Sequence, residues 1–304
     1  MTLRIIRPAW ADDDLVAAGG MLTASNVLET VPLWNAATAY TVGQRVRRDT
    51  THRIYEAGAA STNQIPEQST AGSPAAWLDV QATNRFSMLD AVNSTITTNA
   101  GSIDVILTPG RANSLYLGGL DAATVDVTVM NGATVREARH YRTLVDNVFS
   151  WQEWTDEPII RATDLTVSDL PIYPGDTVRV VISQPGGVAG CGTLVVGMSR
   201  AIGNVLWGAG FRLKTNSVYK DKGFGFVGLV KRPAARKITA QVFVPAAMFD
   251  EVNRLMAEYD GQNLVWSFSD KYRSLSGLGY KDDFDHTLPS PGGSIFNLTI
   301  MGLI

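Results

Sequence analysis

The sequence lacks the features that stabilise small secreted domains or anchor a chain in a membrane. Cys191 is the single cysteine among 304 residues, so no internal disulfide can form. No apolar run reaches the length needed to cross a bilayer, and residues 1–10 lack the long apolar core of a signal peptide. We therefore expect a protein that is made in a cytoplasm, is not secreted by the usual route and is not inserted into a membrane.

Charge is also scarce, because charged residues make up 18% of the chain and the formal net charge is −3. Lysine and arginine form no long stripe, and one short basic cluster lies at residues 231–237. Since phosphate neutralisation needs clustered cations, nucleic acid is not expected as a ligand. The abundance of glycine, serine, threonine, valine and alanine favours strands and turns over long solvated helices, which predicts a mainly β protein.

Patterns typical of catalysis are missing as well. The three histidines, His52, His140 and His286, are far apart and have no metal-ligand spacing, and no G-x-S-x-G sequence is present. Residues 223–228 fit G-x-G-x-x-G, but Pro233 follows too soon for the helix that a dinucleotide site requires. We predict no cofactor, no metal site and no catalytic residue.

Residues 33–82 carry the most informative pattern that is present. Aromatic residues, glycine and proline follow a fixed order: Trp34, Tyr40, Gly43, Val46, Tyr55, Pro66 and Trp77. This order resembles the small chitin-binding modules attached to bacterial chitinases, which also recur inside bacteriophage tail proteins. The resemblance implies a small β module in which Trp34, Tyr40, Tyr55 and Trp77 form the core.

The chain departs from this family where sugar would bind. In chitin-binding modules one or two exposed aromatics follow the second tyrosine, whereas residues 56–62 here contain no aromatic. Alanine and serine cannot provide the large apolar face on which a sugar ring stacks. Two interpretations stay open, an architectural module whose aromatics are core and a module that still binds sugar.

Residues 83–90 read TNRFSMLD. This segment is similar to a short sequence that follows the chitin-binding-like module in phage tail proteins, where it begins a β-sandwich. The alternation downstream predicts short strands at residues 102–107, 114–117, 124–130, 144–151, 159–167, 177–184 and 192–197. Asn131 and Gly132 predict a type I′ hairpin between two of them.

The pattern of residues 201–304, the remainder of the chain, predicts an α+β unit. A helix is expected to begin near Pro245 and to end at Asp260 and Gly261, with strands at residues 237–243, 264–268 and 294–301. This region resembles the closing domain of phage tail proteins that carry the upstream module. The predicted organisation is an N-terminal arm at 1–32, a chitin-binding-like module at 33–82, an antiparallel β-sandwich at 83–200 and a C-terminal α+β domain at 201–304.

One cluster of side chains is a candidate contact site. Trp151 and Trp154 stand beside Glu153 and Asp156. Three interpretations stay open: a subunit interface, where tryptophan is enriched; a loop that contacts sugar without turnover; and a pair of carboxylates for glycoside hydrolysis, which needs an adjacent aromatic.

The order of these motifs resembles a bacteriophage tail structural protein with a chitin-binding-like module. The resemblance implies a virion component of the tail tip, baseplate or fibre-attachment region, assembled in the host cytoplasm. Its expected partners are copies of itself and other phage tail proteins, with contact to cell-surface glycan gaining strength by multivalency. A carbohydrate-binding receptor-recognition protein is the alternative, followed by a head decoration or neck protein. We expect no enzyme activity.

Overall fold

The structure is a computed structural model, and its description covers residues 1–10, 14–90, 92, 94–145, 150–156, 160–221, 227–232, 234–269 and 271–303. Within these ranges the side chains of residues 153, 154, 219–221 and 227 are not described. Antiparallel sheets dominate, so the prediction of a mainly β protein is confirmed. In the described ranges, no helix has both the length and the apolar character that a membrane span requires.

The strands are β1 (Thr2–Pro8), β2 (Leu22–Ser25), β3 (Ala39–Tyr40), β4 (Arg45–Arg48), β5 (Arg53–Ala57), β6 (Ser61–Thr62), β7 (Trp77–Ala82), β8 (Thr97–Leu107), β9 (Ser114–Gly118), β10 (Thr124–Asn131), β11 (Thr134–Arg142), β12 (Leu165–Val167), β13 (Thr177–Cys191), β14 (Thr193–Val205), β15 (Gly210–Lys214), β16 (Val218–Asp221), β17 (Val227–Val230), β18 (Ala235–Pro245), β19 (Leu264–Ser267), β20 (Ser276–Ser290) and β21 (Gly293–Gly302). The helices are α1 (Leu15–Met21), α2 (Trp151–Asp156) and α3 (Phe249–Glu258). Short 3₁₀ turns lie at Pro66–Gln68, Ala246–Met248 and Arg273–Leu275.

The middle of the chain forms a sandwich of two antiparallel layers. One layer is a five-stranded sheet in the order β11-β10-β13-β8-β2, and the other contains β12, β9 and the first half of β14. Alternate residues of both layers, such as Val127, Val180 and Leu117, belong to one buried apolar cluster. This arrangement follows from the period-2 patterning, because alternate residues of a strand point to the same face of its sheet.

The last third of the chain closes into a barrel. Strand β14 continues past the sandwich and pairs with β1 and, at its end, with β18, so that β14, β1, β19, β20, β21 and β18 form a closed ring of six strands. Helix α3 covers the core with Val252, Leu255 and Met256, which pack among Trp266 and Phe296 from the strands. Strand β15 is added outside the ring, on the edge of β18.

The N-terminus differs from the predicted arm at residues 1–32. Strand β1 lies between β14 and β19 inside the barrel sheet, and Leu3, Ile5 and Ile6 are fully buried. Residues 22–25 pair with β8 of the sandwich. The prediction was wrong because the partners of β1 lie about 200 residues away, where no local pattern reveals them. The predicted boundary at residue 200 also falls inside β14, which both units share.

Two further local predictions need correction. Residues 144–151 form no continuous strand in the part that is described: Leu144 makes a single bridge to Arg161, and α2 begins at Trp151. In the β10–β11 hairpin, Asn131 stays in its strand and only Gly132 has positive φ, at 57°, so the turn is not of type I′. The helix predicted from Pro245 is confirmed as a 3₁₀ turn followed by α3, with Gly261 at positive φ beyond it.

Candidate interaction surfaces

The aromatic residues of the predicted module form the interior of a small sheet structure. Tyr40, Tyr55 and Trp77 are buried in one cluster, within strands of a three-stranded sheet (β4-β5-β7) and a two-stranded sheet (β3-β6). The Tyr40 ring meets the Trp77 ring edge-on at 5.2 Å, and the Trp77 indole N–H donates to the Gln64 carbonyl at 3.0 Å. These rings therefore hold the module together and offer no face to a ligand.

Trp34 is the fourth aromatic and packs partly buried against this cluster. The Arg48 guanidinium lies over its ring at 4.9 Å and is held there by two hydrogen bonds to Glu67, at 2.9 and 2.7 Å. A cation over the indole face occupies the position that a sugar ring would need for stacking. The geometry thus gives Trp34 an architectural contact as well.

The predicted contact cluster lies on helix α2. Trp151 is 80% exposed and Asp156 is exposed at the other end of the helix. Glu153 and Trp154 belong to the same helix, but their side chains lie outside the described part of the structure. Trp151 therefore presents a large apolar ring to solvent, while the described atoms establish no pair of carboxylates.

The module is joined to the sandwich through a small polar cleft of about 290 Å³. His52 stacks on Phe86 across it, and the Glu29 carboxylate accepts hydrogen bonds from the backbone N–H groups of Asn84 (3.2 Å) and Arg85 (2.9 Å). Burial lowers the pKa of His52, with Arg85 acting in the same direction. Residues 83–90 therefore anchor the module.

A second cleft, of about 310 Å³, lies where the sandwich meets the barrel. The Tyr116 hydroxyl donates to Asp164 at 2.8 Å, and the other Asp164 oxygen accepts from Arg236 at 2.9 Å and from the Thr163 hydroxyl at 2.8 Å. Burial, followed by the Asp164 charge, holds the pKa of Tyr116 well above its ordinary value. A buried neutral phenol and a fully paired carboxylate are poor acid–base groups, so this network acts as a clamp between the strands that carry it.

A third surface surrounds edge strand β15. Trp207, just before it, is 86% exposed, and Phe211 and Leu213 are 41% and 64% exposed. Phe211 lies directly opposite Ile238 of β18, so the two side chains are on the same face of the sheet. Ile238 is buried in the barrel core, whereas Phe211 lies on the same face but is exposed. An edge strand with an uncovered apolar row is a site for pairing with another chain.

In the part of the chain that the structure describes, the remaining candidates from the sequence give no reactive centre. Among the described residues, no group of three or more His, Cys, Asp or Glu side chains could hold a metal ion. Cys191 is fully buried, which raises its pKa to about 12. The Gly-rich stretch at 223–228 lies mostly outside the described residues.

Sequence reasoning missed the Tyr116, Asp164 and Arg236 clamp and the β15 surface. The clamp joins residues from three distant segments and leaves no local signature. The β15 surface does have one, because Phe211 and Leu213 alternate with Arg212 and Lys214, as expected for an amphipathic strand.

Comparisons with known proteins add little. No family model matches the chain, and no curated protein matches it. One solved structure that is similar is described as "Tail of empty GTA particle computed with helical refinement, C6 symmetry"; the identity is 15%, the alignment covers 36% of this chain and 84% of that chain, and the TM-score is 0.26. A similarity at this level carries no conclusion about fold or function.

Proposed function

We propose that this chain is a structural subunit of a bacteriophage-like tail, at the tail tip, baseplate or fibre-attachment region, and that it acts by assembling with copies of itself and with other tail proteins. The order of the sequence motifs supports the tail, as set out above. The observation that carries the assembly role is the uncovered apolar surface of Trp207, Phe211 and Leu213 on an edge strand. On a monomer such a surface promotes aggregation, whereas on a subunit it can be buried against a neighbouring chain.

The other features of the molecule fit a subunit better than a catalyst. The aromatics of the module are core or are covered by Arg48, and the clamp of Tyr116, Asp164 and Arg236 ties β9 to β18 within the nine-stranded sheet. Each of these contacts stiffens the chain and occupies the polar groups and rings that take part in it. The proposal therefore includes no enzyme activity.

Labelling of purified particles tests the proposal. Antibodies raised against the chain are expected to bind intact virions at the distal end of the tail, and the label should disappear when the serum is first absorbed with the purified protein. Absence of the chain from particles, shown by mass spectrometry of their proteins, would contradict the proposal. Label on the head or neck would contradict the tail position.

Contact with a host glycan is a second candidate, favoured by the exposed Trp151 ring alone. If Trp151 carries this contact, Trp151→Ala lowers glycan binding of the purified protein, while Leu144→Ala, which trims another exposed apolar side chain, leaves it unchanged. A glycan array that shows no binding by the unmodified protein would dispose of this candidate.

A further inference from the structure

Two free edges of the same sheet carry opposite charge. The first, which we call the basic edge, is β15, residues 210–214, the last strand in the order of the nine-stranded sheet. The second, the acidic edge, is residues 280–288 of β20. Strand β19 pairs with β20 only over residues 276–279, so in the described part of the chain the acidic edge pairs with β21 on one side alone.

The basic edge has two faces of different chemistry. Phe211 and Leu213 form its apolar row, whereas Arg212 and Lys214 point to the other face. Arg212 lies directly opposite Lys237 of β18, and like charges at opposed positions repel. Lys237 is already paired with Asp282 at 3.0 Å, and within the described residues neither Arg212 nor Lys214 has a carboxylate partner.

The acidic edge has exposed carboxylates that could pair with Arg212 and Lys214 of another copy. Asp283 and Asp285 are exposed, and no ion pair to either is found among the described residues. Phe284 and His286 alternate with them and turn to the core, where His286 bonds Asn253 of α3 at 2.6 Å. Helix α3 therefore covers the core face of the acidic edge and leaves the two carboxylates on the outer face.

The charge distribution of the whole sequence agrees with this pattern. Residues 207–232 contain six basic residues and one acidic residue, a net charge of +5. The rest of the chain then contains 20 basic and 28 acidic residues, a net charge of −8. A chain with such segregated charge attracts another copy of itself in a head-to-tail orientation.

We propose that the basic edge of one copy pairs with the acidic edge of the next copy, so that the sheet continues from subunit to subunit. This interface rests on the proposed assembly function and names the surfaces that perform it. Because the two edges differ, the contact is heterologous and builds a ring if the rotation closes, or a filament if it does not. Backbone pairing sets the register, while Arg212 and Lys214 meet Asp283 and Asp285. Pro289 has no amide hydrogen, which limits the pairing to the residues before it.

Charge reversal tests the interface. Arg212→Glu with Lys214→Glu makes both edges acidic, and Asp283→Lys with Asp285→Lys makes both edges basic. We expect each variant alone to sediment as a monomer, and an equimolar mixture of the two to assemble again, because each edge of one variant then meets an edge of opposite charge on the other. Arg111→Glu with Arg142→Glu is the matched control, since it makes the same charge change at exposed positions away from both edges and is expected to assemble normally. Thermal melting checks that each variant is folded.

Cysteine cross-linking keeps the test valid if a reversed variant fails to fold. Cys191 is buried, so engineered cysteines react without competition. Position 210 lies on the same face of β15 as Arg212 and Lys214, and position 287 lies on the same face of β20 as Asp283 and Asp285. A chain with Gly210→Cys, where a side chain meets no atom within 4 Å, mixed with a chain with Thr287→Cys should give a disulfide between the two chains under mild oxidation. Cross-linking of Gly210→Cys chains to each other instead, or no mixed product, would overturn the proposal.

The outcomes separate the two proposals. If the unmodified chain assembles and both charge-reversed variants assemble equally well, the edge-to-edge interface is wrong and the assembly function stands. If the unmodified chain stays a monomer at every concentration, both are wrong.

Discussion

The His52 ring stacks on the Phe86 ring with centroids 3.8 Å apart and planes inclined by 17°. His52 belongs to the module, and Phe86 belongs to residues 83–90 at the start of the sandwich. The stacked pair therefore marks the contact between the module and the sandwich. The His52 carbonyl also accepts a hydrogen bond from the Thr83 N–H at 2.9 Å. A docked module is consistent with a rigid subunit, and it makes the stability of the junction sensitive to the charge of one histidine.

The first prediction concerns pH. The pKa values of His52 and His286 both lie below the ordinary value of 6.5, mainly because burial disfavours the charged imidazolium. At His52 the charge of Arg85 lowers the pKa further, and Asp49 and Glu29 oppose the shift in part. At His286 the charge of Asp285 opposes it in part. As pH falls, the two histidines therefore bind protons in the unfolded chain before they do so in the folded chain. The stability that the neutral histidines contribute to the fold is fully present above pH 6.5 and is lost as pH falls through their lowered pKa values. We expect the melting temperature to drop on acidification from about pH 7 to about pH 5.

Substitution of the histidines checks this assignment. His52→Asn combined with His286→Asn should flatten the slope of melting temperature against pH, and asparagine tolerates the positive φ of 55° at position 52. His140→Asn is the control, because it removes an exposed histidine of β11. An unchanged slope in the double variant would show that other groups control the response.

A second prediction addresses the module core. Trp77→Ala removes a fully buried ring and its hydrogen bond to Gln64, and should lower the free energy of unfolding by about 3–5 kcal/mol. Leu78→Ala, on the adjacent and half-exposed side chain, should cost less than about 1 kcal/mol. Urea denaturation followed by tryptophan fluorescence measures both. Equal effects of the two substitutions would exclude Trp77 as the centre of the module.

The third prediction tests the position of the N-terminal strand. A Cβ atom at Gly197 would lie 1.7 Å from the Arg7 carbonyl oxygen of β1, so Gly197→Ala should destabilise the protein by about 3 kcal/mol or more. Gly277→Ala, also in a strand, meets no atom within 4 Å and should be nearly neutral. A protein that tolerates Gly197→Ala as well as Gly277→Ala would favour the N-terminal arm at residues 1–32 that the sequence predicted.

A fourth prediction concerns the clamp. Asp164→Ala leaves the buried Tyr116 hydroxyl and the Arg236 guanidinium without their partner, at an expected cost of about 1–3 kcal/mol in the free energy of unfolding. Asp169→Asn weakens a more exposed pair with Arg4, keeps a residue type that tolerates the positive φ of 59° at this position, and should cost less than about 1 kcal/mol. Thermal denaturation at neutral pH compares the two variants. Similar small losses in both would mean that the clamp carries no special stabilisation.

Much of the local structure could be predicted from sequence because its signals are local. Pro245, the apolar spacing of α3 and Gly261 define the helix within a short window, and the alternation in residues 177–184 defines a strand. The barrel could not be predicted, because its closure depends on β1 and on the pairing of Asn204 with Phe243, contacts between segments far apart in the chain. The free edges likewise become visible only once the strand order is known.

The mass of the purified chain in solution decides whether the protein assembles with copies of itself. We expect sedimentation equilibrium to give a mass that is an integer multiple, twofold or more, of the 32.8 kDa of one chain. A mass of one chain up to the highest soluble concentration would contradict it.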